Sequence, residues 1–390
     1  PLELNCIVYE GAYIMEWEYT LRIDRKFIVA FFLVALALGG GFSLVYWSLK
    51  TSLNTLQDKY TNLSNQLKTL QGLIEQLYYG QKLNLTAVQI YNMTRNSVVL
   101  VVAGNKSGSG FIYNWTNGKG YIVTNYHVIE GYENDVKVTF FIDGKPIQTV
   151  VTVKGKDIYS DLTVLEVHDP PEKAKEAKQL RIGDSTKLLV GEPVYAIGNP
   201  FGLEGSMTAG IVSQLGRVLR LSELGMPEPW GNYSIVDLIQ FDAAVNPGNS
   251  GGPLLNSLGE VIGVTFAIET TGEVKAFIGI GYAIPSIIMG RVADSIIAKG
   301  KYEHPWVGIW YNPSYIGGVF VERVEEKSPA FGKLRPKDVI VEVDNHTVYR
   351  ADDLVIYLER YKSPGDVIYL KVIRDGEPIF VNITLGARPE

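Results

Sequence analysis

The stretch Phe241-Asp242-Ala243-Ala244-Val245-Asn246-Pro247-Gly248-Asn249-Ser250-Gly251-Gly252-Pro253-Leu254 decides how the chain is read. Ser250 sits between Gly248 and Gly251-Gly252, so little side-chain bulk blocks an incoming carbonyl. Glycines let the backbone turn sharply and aim its N–H groups at one point. The N–H groups of Gly248 and Ser250 would form an oxyanion hole, in which one donor is worth about 3 kcal/mol. Pro253-Leu254-Leu255 and Val261-Ile262-Gly263-Val264 read as the strands behind this loop.

A serine becomes a nucleophile only beside a base. Upstream, Tyr121-Ile122-Val123-Thr124-Asn125-Tyr126-His127 is an apolar run ending on an imidazole. Between the two lies Ser160-Asp161-Leu162-Thr163-Val164-Leu165, where Asp161 precedes an alternating strand and can accept the second imidazole N–H. The order His, Asp, Ser is one of the known arrangements of a catalytic triad. His168, His304 and His346 carry no such context and are expected at the surface or in packing.

These three segments, with Gly108-Ser109-Gly110-Phe111 before them and Ala196-Ile197-Gly198-Asn199-Pro200-Phe201-Gly202 between, resemble the HtrA/Deg family of serine proteases over roughly residues 96 to 385. The resemblance implies a mainly β fold: a chymotrypsin-like double β-barrel followed by a PDZ domain. It implies His127 as general base, Asp161 as its orienting partner and Ser250 as nucleophile. It also implies a homotrimer and needs neither cofactor nor metal.

Composition agrees with this reading. A chain of 390 residues is too long for one core, and 40 glycines with 23 tyrosines suit a turn-rich β protein. The single cysteine, Cys6, excludes an internal disulfide, and a net charge of −6 argues against nucleic acid.

Residues 1–26 form a short mixed segment. Phe27 to Trp47 is an uncharged run of 21 residues, about 31 Å as a helix, and reads as a transmembrane anchor. Arg22, Arg25 and Lys26 precede it, which places the N-terminus in the cytoplasm and the rest outside. Leu49, Leu53, Leu56, Tyr60, Leu63, Leu67, Leu70, Ile74 and Leu77 then alternate in steps of four and three, the heptad of a coiled-coil helix over 49–79. Residues 80–95 read as a linker, 96–290 as the protease domain, and 301–388 as the PDZ domain. Eight Asn-x-Ser/Thr acceptors follow Trp47, where 20 asparagines would give roughly two by chance, so a glycosylated exterior is expected.

Further residues follow from the resemblance. Ala244, six before the nucleophile, marks the floor of the specificity pocket, with Val264, Thr265 and Phe266 as walls. A floor without charge favours cleavage after small or medium aliphatic residues. Asn249 cannot pair with a new N-terminus as an Asp would, so activation is expected by rearrangement of loops at Arg217–Asp237 and Thr270–Ala276. Trp306-Val307-Gly308-Ile309 matches the carboxylate-binding loop of a PDZ domain, Trp306 being bulkier than is usual there. Leu354 and Leu358 are expected along its peptide groove. The expected function is ATP-independent endoproteolysis of unfolded or damaged proteins. A chaperone-like holdase and a PDZ-regulated protease with one signalling substrate are the alternatives.

Overall fold

The computed structural model describes residues 6–9, 12–15, 26, 29–30, 42–80, 85–116, 118–199, 205–220, 234–266 and 279–389. The chain divides into two compact units, Pro1–Lys82 and Leu83–Glu390.

The first unit holds a hairpin of β1 (Cys6–Tyr9) and β2 (Ala12–Met15), and one long helix, α1 (Phe42–Gly80). The segment expected as a coiled-coil helix over 49–79 is helical and begins seven residues earlier than expected, since 49 − 42 = 7. Its sequence is proline-free and rich in Leu, Gln and Lys, which favour helix. Leu53, Leu56, Tyr60, Leu63, Leu67 and Leu70 form one stripe, and each is more than half exposed. Among the described residues no helix is long and apolar enough to cross a membrane. Residues 27–28 and 31–41 of the expected span Phe27 to Trp47 lie outside the described residues, and its last six open α1.

The second unit starts with a correction. The expected linker 80–95 contains α2 (Ala87–Thr94), closed at its start by a capping box in which Thr86 and Gln89 bond reciprocally. Ile90 of this helix is wholly buried in the main hydrophobic core of this unit.

Two antiparallel sheets follow. Strands β3 (Val98–Ala103), β4 (Lys106–Thr116), β5 (Lys119–Asn125), β6 (Val136–Ile142), β7 (Lys145–Val150), β8 (Thr152–Asp157) and β9 (Leu162–Val167) pair in the order β7-β6-β3-β4-β5-β9-β8. Strands β10 (Pro193–Gly198), β11 (Ser206–Arg220), β12 (Ser234–Phe241), β13 (Pro253–Leu255), β14 (Val261–Phe266) and β15 (Gly281–Pro285) close into a six-stranded barrel. The expected double barrel is therefore one closed barrel and one seven-stranded sheet whose end strands β7 and β8 do not pair with each other. Helix α3 (Ser286–Lys299) buries Ile288, Met289, Val292 and Ile296 in the core shared by the two sheets, so this domain runs past the expected boundary at 290. The ends of the expected loop Arg217–Asp237 are strand: β11 and β12 pair out to Arg220 and Ser234. Residues 221–233 and the expected loop Thr270–Ala276 lie outside the described residues.

The third layer has its own core around Val319, Ile340, Val343, Leu370 and Ile383. Its strands are β16 (Pro305–Trp306), β17 (Ile309–Tyr311), β18 (Val319–Val324), β19 (Val339–Val343), β20 (His346–Thr347), then β21 (Val367–Arg374), β22 (Glu377–Thr384) and β23 (Gly386–Ala387) after helix α4 (Ala351–Tyr361). The main sheet runs β17-β18-β19-β21-β22, with β17 and β22 at its edges.

This layer is tied to the protease layer by buried charge. His304, expected at the surface or in packing, is buried and bridges Asp157 at the end of β8 and Glu359 on α4, at 2.9 Å to each. Arg360 reaches Asp237 at 2.6 Å. Burial pushes the His304 imidazole down, but the Asp157 and Glu359 carboxylates outweigh it and hold its pKa up at about 10. Because the folded value lies above the unfolded one of about 6.5, the contribution is full below pH 6.5 and is lost as pH rises to about 10. Removing one member of a buried ionic cluster leaves uncompensated charge and costs about 3–5 kcal/mol. His304→Ala is expected to lower stability by that order in thermal unfolding, and to flatten the loss of stability that the unmodified chain shows between pH 6.5 and about 10. A variant with wild-type stability across this range would refute the assignment.

Candidate active site

The Ser250 loop lies between the two sheets and is held by backbone contacts that tolerate no side chains. Gly251 has φ +84°, and a Cβ on it would stand 2.2 Å from the Ser109 carbonyl and 2.2 Å from the Thr124 hydroxyl. A Cβ on Gly252 would stand 2.3 Å from the Ile197 carbonyl. Only glycine fits both positions, which is the physical content of the Gly-Gly pair after Ser250.

Ser109, on β4, clamps this loop and is itself wholly buried. Its N–H donates to the Ser250 carbonyl at 2.8 Å, and its hydroxyl donates to the Gly248 carbonyl at 2.6 Å. The same hydroxyl accepts the Asn199 N–H at 2.8 Å. From the far side, the Thr265 hydroxyl donates to the carbonyls of Asn249 at 2.6 Å and Gly252 at 3.0 Å. The peptides on either side of Ser250 are thus fixed in direction. Nothing in Gly108-Ser109-Gly110-Phe111 marks Ser109 for this role, because its partners lie 90 and 139 positions away.

His127 stands in the short turn that follows β5, the strand hydrogen-bonded to β4. Asp161 reaches it from the turn between β8 and β9: one carboxylate oxygen lies 2.6 Å from His127 Nδ1, and the other accepts the His127 backbone N–H at 2.8 Å. The Asp161 carbonyl accepts Tyr126 N–H and Asn125 Nδ2, each at 3.0 Å. Asp161 has φ +53°, a left-handed conformation that Asp tolerates better than most residues. Asp157 secures the turn by accepting the backbone N–H and hydroxyl of Ser160. Burial drives the His127 pKa down, while the Asp161 carboxylate drives it up; the net is above the ordinary imidazole value.

This arrangement suits acyl transfer. The carboxylate on Nδ1 selects the tautomer whose Nε2 is free to take a proton, and it stabilises the imidazolium that forms. Lys106 donates to the His127 carbonyl at 3.2 Å and pairs with Glu130, holding the same turn from outside. Ser250 is 5% exposed, in the loop that Ser109 holds.

Two sequence families match this chain: residues 108–264 the one described as "Trypsin-like peptidase domain", and residues 261–385 the one described as "PDZ domain". "Putative serine protease HhoB" of Synechocystis sp. is 37% identical over 304 residues, covering 73% of this chain and 67% of that protein. The chain belongs to the HtrA family of serine proteases. "Serine protease Do-like HtrA" of Bacillus subtilis is 35% identical over 307 residues, covering 73% of this chain. The chain spans 64% of the length of that relative and of "Protease Do-like 1, chloroplastic" of Arabidopsis thaliana. The solved structure "HtrA-type protease AlgW with tripeptide" superposes with a TM-score of 0.62 at 28% identity, over 78% of this chain and 97% of that one.

The expected pocket residues divide within this HtrA-type domain. Phe266 places its ring edge-on to the His127 imidazole, with centroids 5.5 Å apart. Ala244 is half-buried, and its carbonyl accepts the Thr208 hydroxyl at 2.8 Å. Val264 and Thr265, expected as pocket walls, are wholly buried: Val264 belongs to the core, and Thr265 braces the nucleophile loop.

In the PDZ layer, Val307 is buried and Gly308 has φ +84°. The Val307 carbonyl accepts the Ala330 N–H at 3.0 Å, and the Gly308 carbonyl accepts the Glu325 N–H at 2.9 Å. The N–H groups of Val307 and Gly308 donate to no described residue. Trp306 pairs with Gly386, and Ile309 opens the edge strand β17. Leu354 and Leu358, expected along the groove, are instead 4% and 6% exposed and packed in the PDZ core.

Asp161→Asn is expected to lower kcat by about ten-thousandfold through the wrong tautomer. Because Asp161 raises the His127 pKa, the acid limb of the kcat/KM profile should also move to lower pH in this variant. Ser109→Ala is expected to lower kcat about tenfold with little change in KM, because it releases the peptide next to the oxyanion hole. Equal losses in kcat and in binding would assign Ser109 a role in packing instead.

Proposed function

We propose that the protein is a membrane-anchored, extracytoplasmic serine endopeptidase that cleaves unfolded or damaged polypeptides without ATP. The observation that carries this reading is the His127–Asp161 pair, 2.6 Å apart, beside a Ser250 loop fixed in direction by Ser109 and Thr265. In the first step Ser250 Oγ attacks the peptide carbonyl, His127 takes its proton, and the N–H groups of Gly248 and Ser250 receive the oxyanion. His127 then protonates the leaving amine, and water releases the acyl group by the reverse path. Ala244 at the pocket floor carries no charge to pair with Lys or Arg, which supports cleavage after Ala, Val or Leu.

The PDZ layer captures a peptide C-terminus by strand addition. The N–H groups of Val307 and Gly308, without partners among the described residues, suit a carboxylate, and among those residues β17 offers an unpaired edge beside them. The exposed heptad stripe of α1 supports assembly of copies through a coiled coil, with a trimer as the proposed state. Relatives include "Probable periplasmic serine endoprotease DegP-like" of Halomonas elongata, 37% identical over 295 residues, and a periplasmic address agrees with an extracytoplasmic protease. The apolar run Phe27 to Trp47 supports the anchor.

The test is degradation of unfolded casein by the chain and by Ser250→Ala, without ATP. Cleavage by the first alone, at sites following small aliphatic residues, is the expected result. Cleavage after Arg or Lys would remove the pocket assignment. Absence of cleavage with and without C-terminal peptides would favour a holdase.

A further inference from the structure

The strand pair β21–β22 turns Ile368, Leu370, Val372 and Ile383 into the PDZ core. Its opposite face exposes Tyr369 and Phe380 at 64% and 78%. Between them stands Asn382, the acceptor of Asn382-Ile383-Thr384. The register sets Tyr369 directly opposite Asn382, and Phe380 precedes Asn382 by two positions, so all three side chains share one face. Lys333 donates to the Asn382 carbonyl at 2.9 Å, while the Asn382 side-chain amide bonds to no described residue. Lys333, Tyr369, Phe380, Val381 and Asn382 line an open hollow of about 390 Å³.

We propose that Asn382 is N-glycosylated and that its first sugar lies against the rings of Tyr369 and Phe380. A pyranose presents an apolar C–H face of the size of an aromatic ring. A sugar on Asn382 starts within reach of both rings, since cross-strand neighbours stand about 5 Å apart and same-face neighbours on one strand about 7 Å. Its free hydroxyls remain in water, so the modification covers the apolar pair without a second protein. The transfer joins Asn382 Nδ2 to the anomeric carbon of an oligosaccharide carried on a polyprenyl phosphate. The anomeric C–O bond to phosphate breaks, the phosphate keeps its electron pair, and the amide nitrogen loses one proton. No atom changes oxidation state.

The position also has a consequence for peptide binding. The sheet has two edges, β17 and β22, and an open edge invites pairing with any extended chain. A glycan on β22 obstructs that edge and leaves β17, beside Gly308, as the place for strand addition. The proposal rests on the extracytoplasmic reading above, because such sugar donors are used on the outer side of the membrane.

The test is mass-spectrometric mapping of the full chain purified from the cells that make it, beside Thr384→Ala, which keeps Asn382 but destroys the acceptor. The expected result is a sugar mass on the peptide containing Asn382 and its loss in Thr384→Ala. Hydroxyl-radical labelling of Tyr369 and Phe380 should rise in the same variant. An unmodified Asn382 beside sugar on other acceptors overturns the proposal while leaving the extracytoplasmic reading intact. No sugar on any acceptor overturns it as well, and protease shaving of intact cells then judges the location separately. Sugar on Asn382 with unchanged labelling of both rings overturns the stacking.

Discussion

Everything in the protease layer depends on how closely the Ser250 loop can approach β4. At Gly251 the approach leaves no room for one carbon atom, and the Ser109 main chain and side chain take up the carbonyls on both sides of the nucleophile. A loop held this way has few backbone conformations left to lose. The same strand, β4, pairs with β5, and β5 delivers His127. The Ser250 loop and His127 are therefore registered to each other through one hydrogen-bonded strand pair.

Asp161 completes the site from a third direction and is supported in depth. Its left-handed backbone points both carboxylate oxygens at His127, and the turn that carries it is fastened by Asp157. Asp157 in turn binds His304, which binds Glu359 on the PDZ helix. The two layers share a charged junction, so the stability of the catalytic turn and the seating of the PDZ layer are one physical problem. Burying such a cluster is costly, and removing one member leaves the others as uncompensated buried charge.

The two edges of the PDZ sheet have different chemistry. Near β17 lie amide groups without described partners, suited to a carboxylate. On β22 lie the exposed Phe380 ring and an acceptor asparagine, with the exposed Tyr369 ring on the neighbouring strand β21. Strand addition at one edge and obstruction at the other would give a peptide a single way to dock.

Short-range chemistry was legible in the sequence. Gly-Asn-Ser-Gly-Gly announces a turn that only glycine can make, and His127 and Asp161 each sit at the boundary of an apolar run, His127 after one strand and Asp161 before another. The helix expected over 49–79 lies within the observed Phe42–Gly80, because a seven-residue periodicity is local. What depends on residues far apart in the chain was not legible. The burial of His304 depends on partners 147 and 55 positions away, and a lone histidine carries no sign of them. Thr265 looked like a pocket wall because strand alternation does not say which carbonyls a hydroxyl will meet. Ile90 looked like part of a linker because a two-turn helix has too few apolar positions to show its period. The sequence by itself determined the Ser250 loop and the turns that carry His127 and Asp161, since these are set by covalent geometry and nearest neighbours. Only the tertiary structure decided which polar side chains brace the site, because that is set by which surfaces the packed sheets bring within hydrogen-bonding distance.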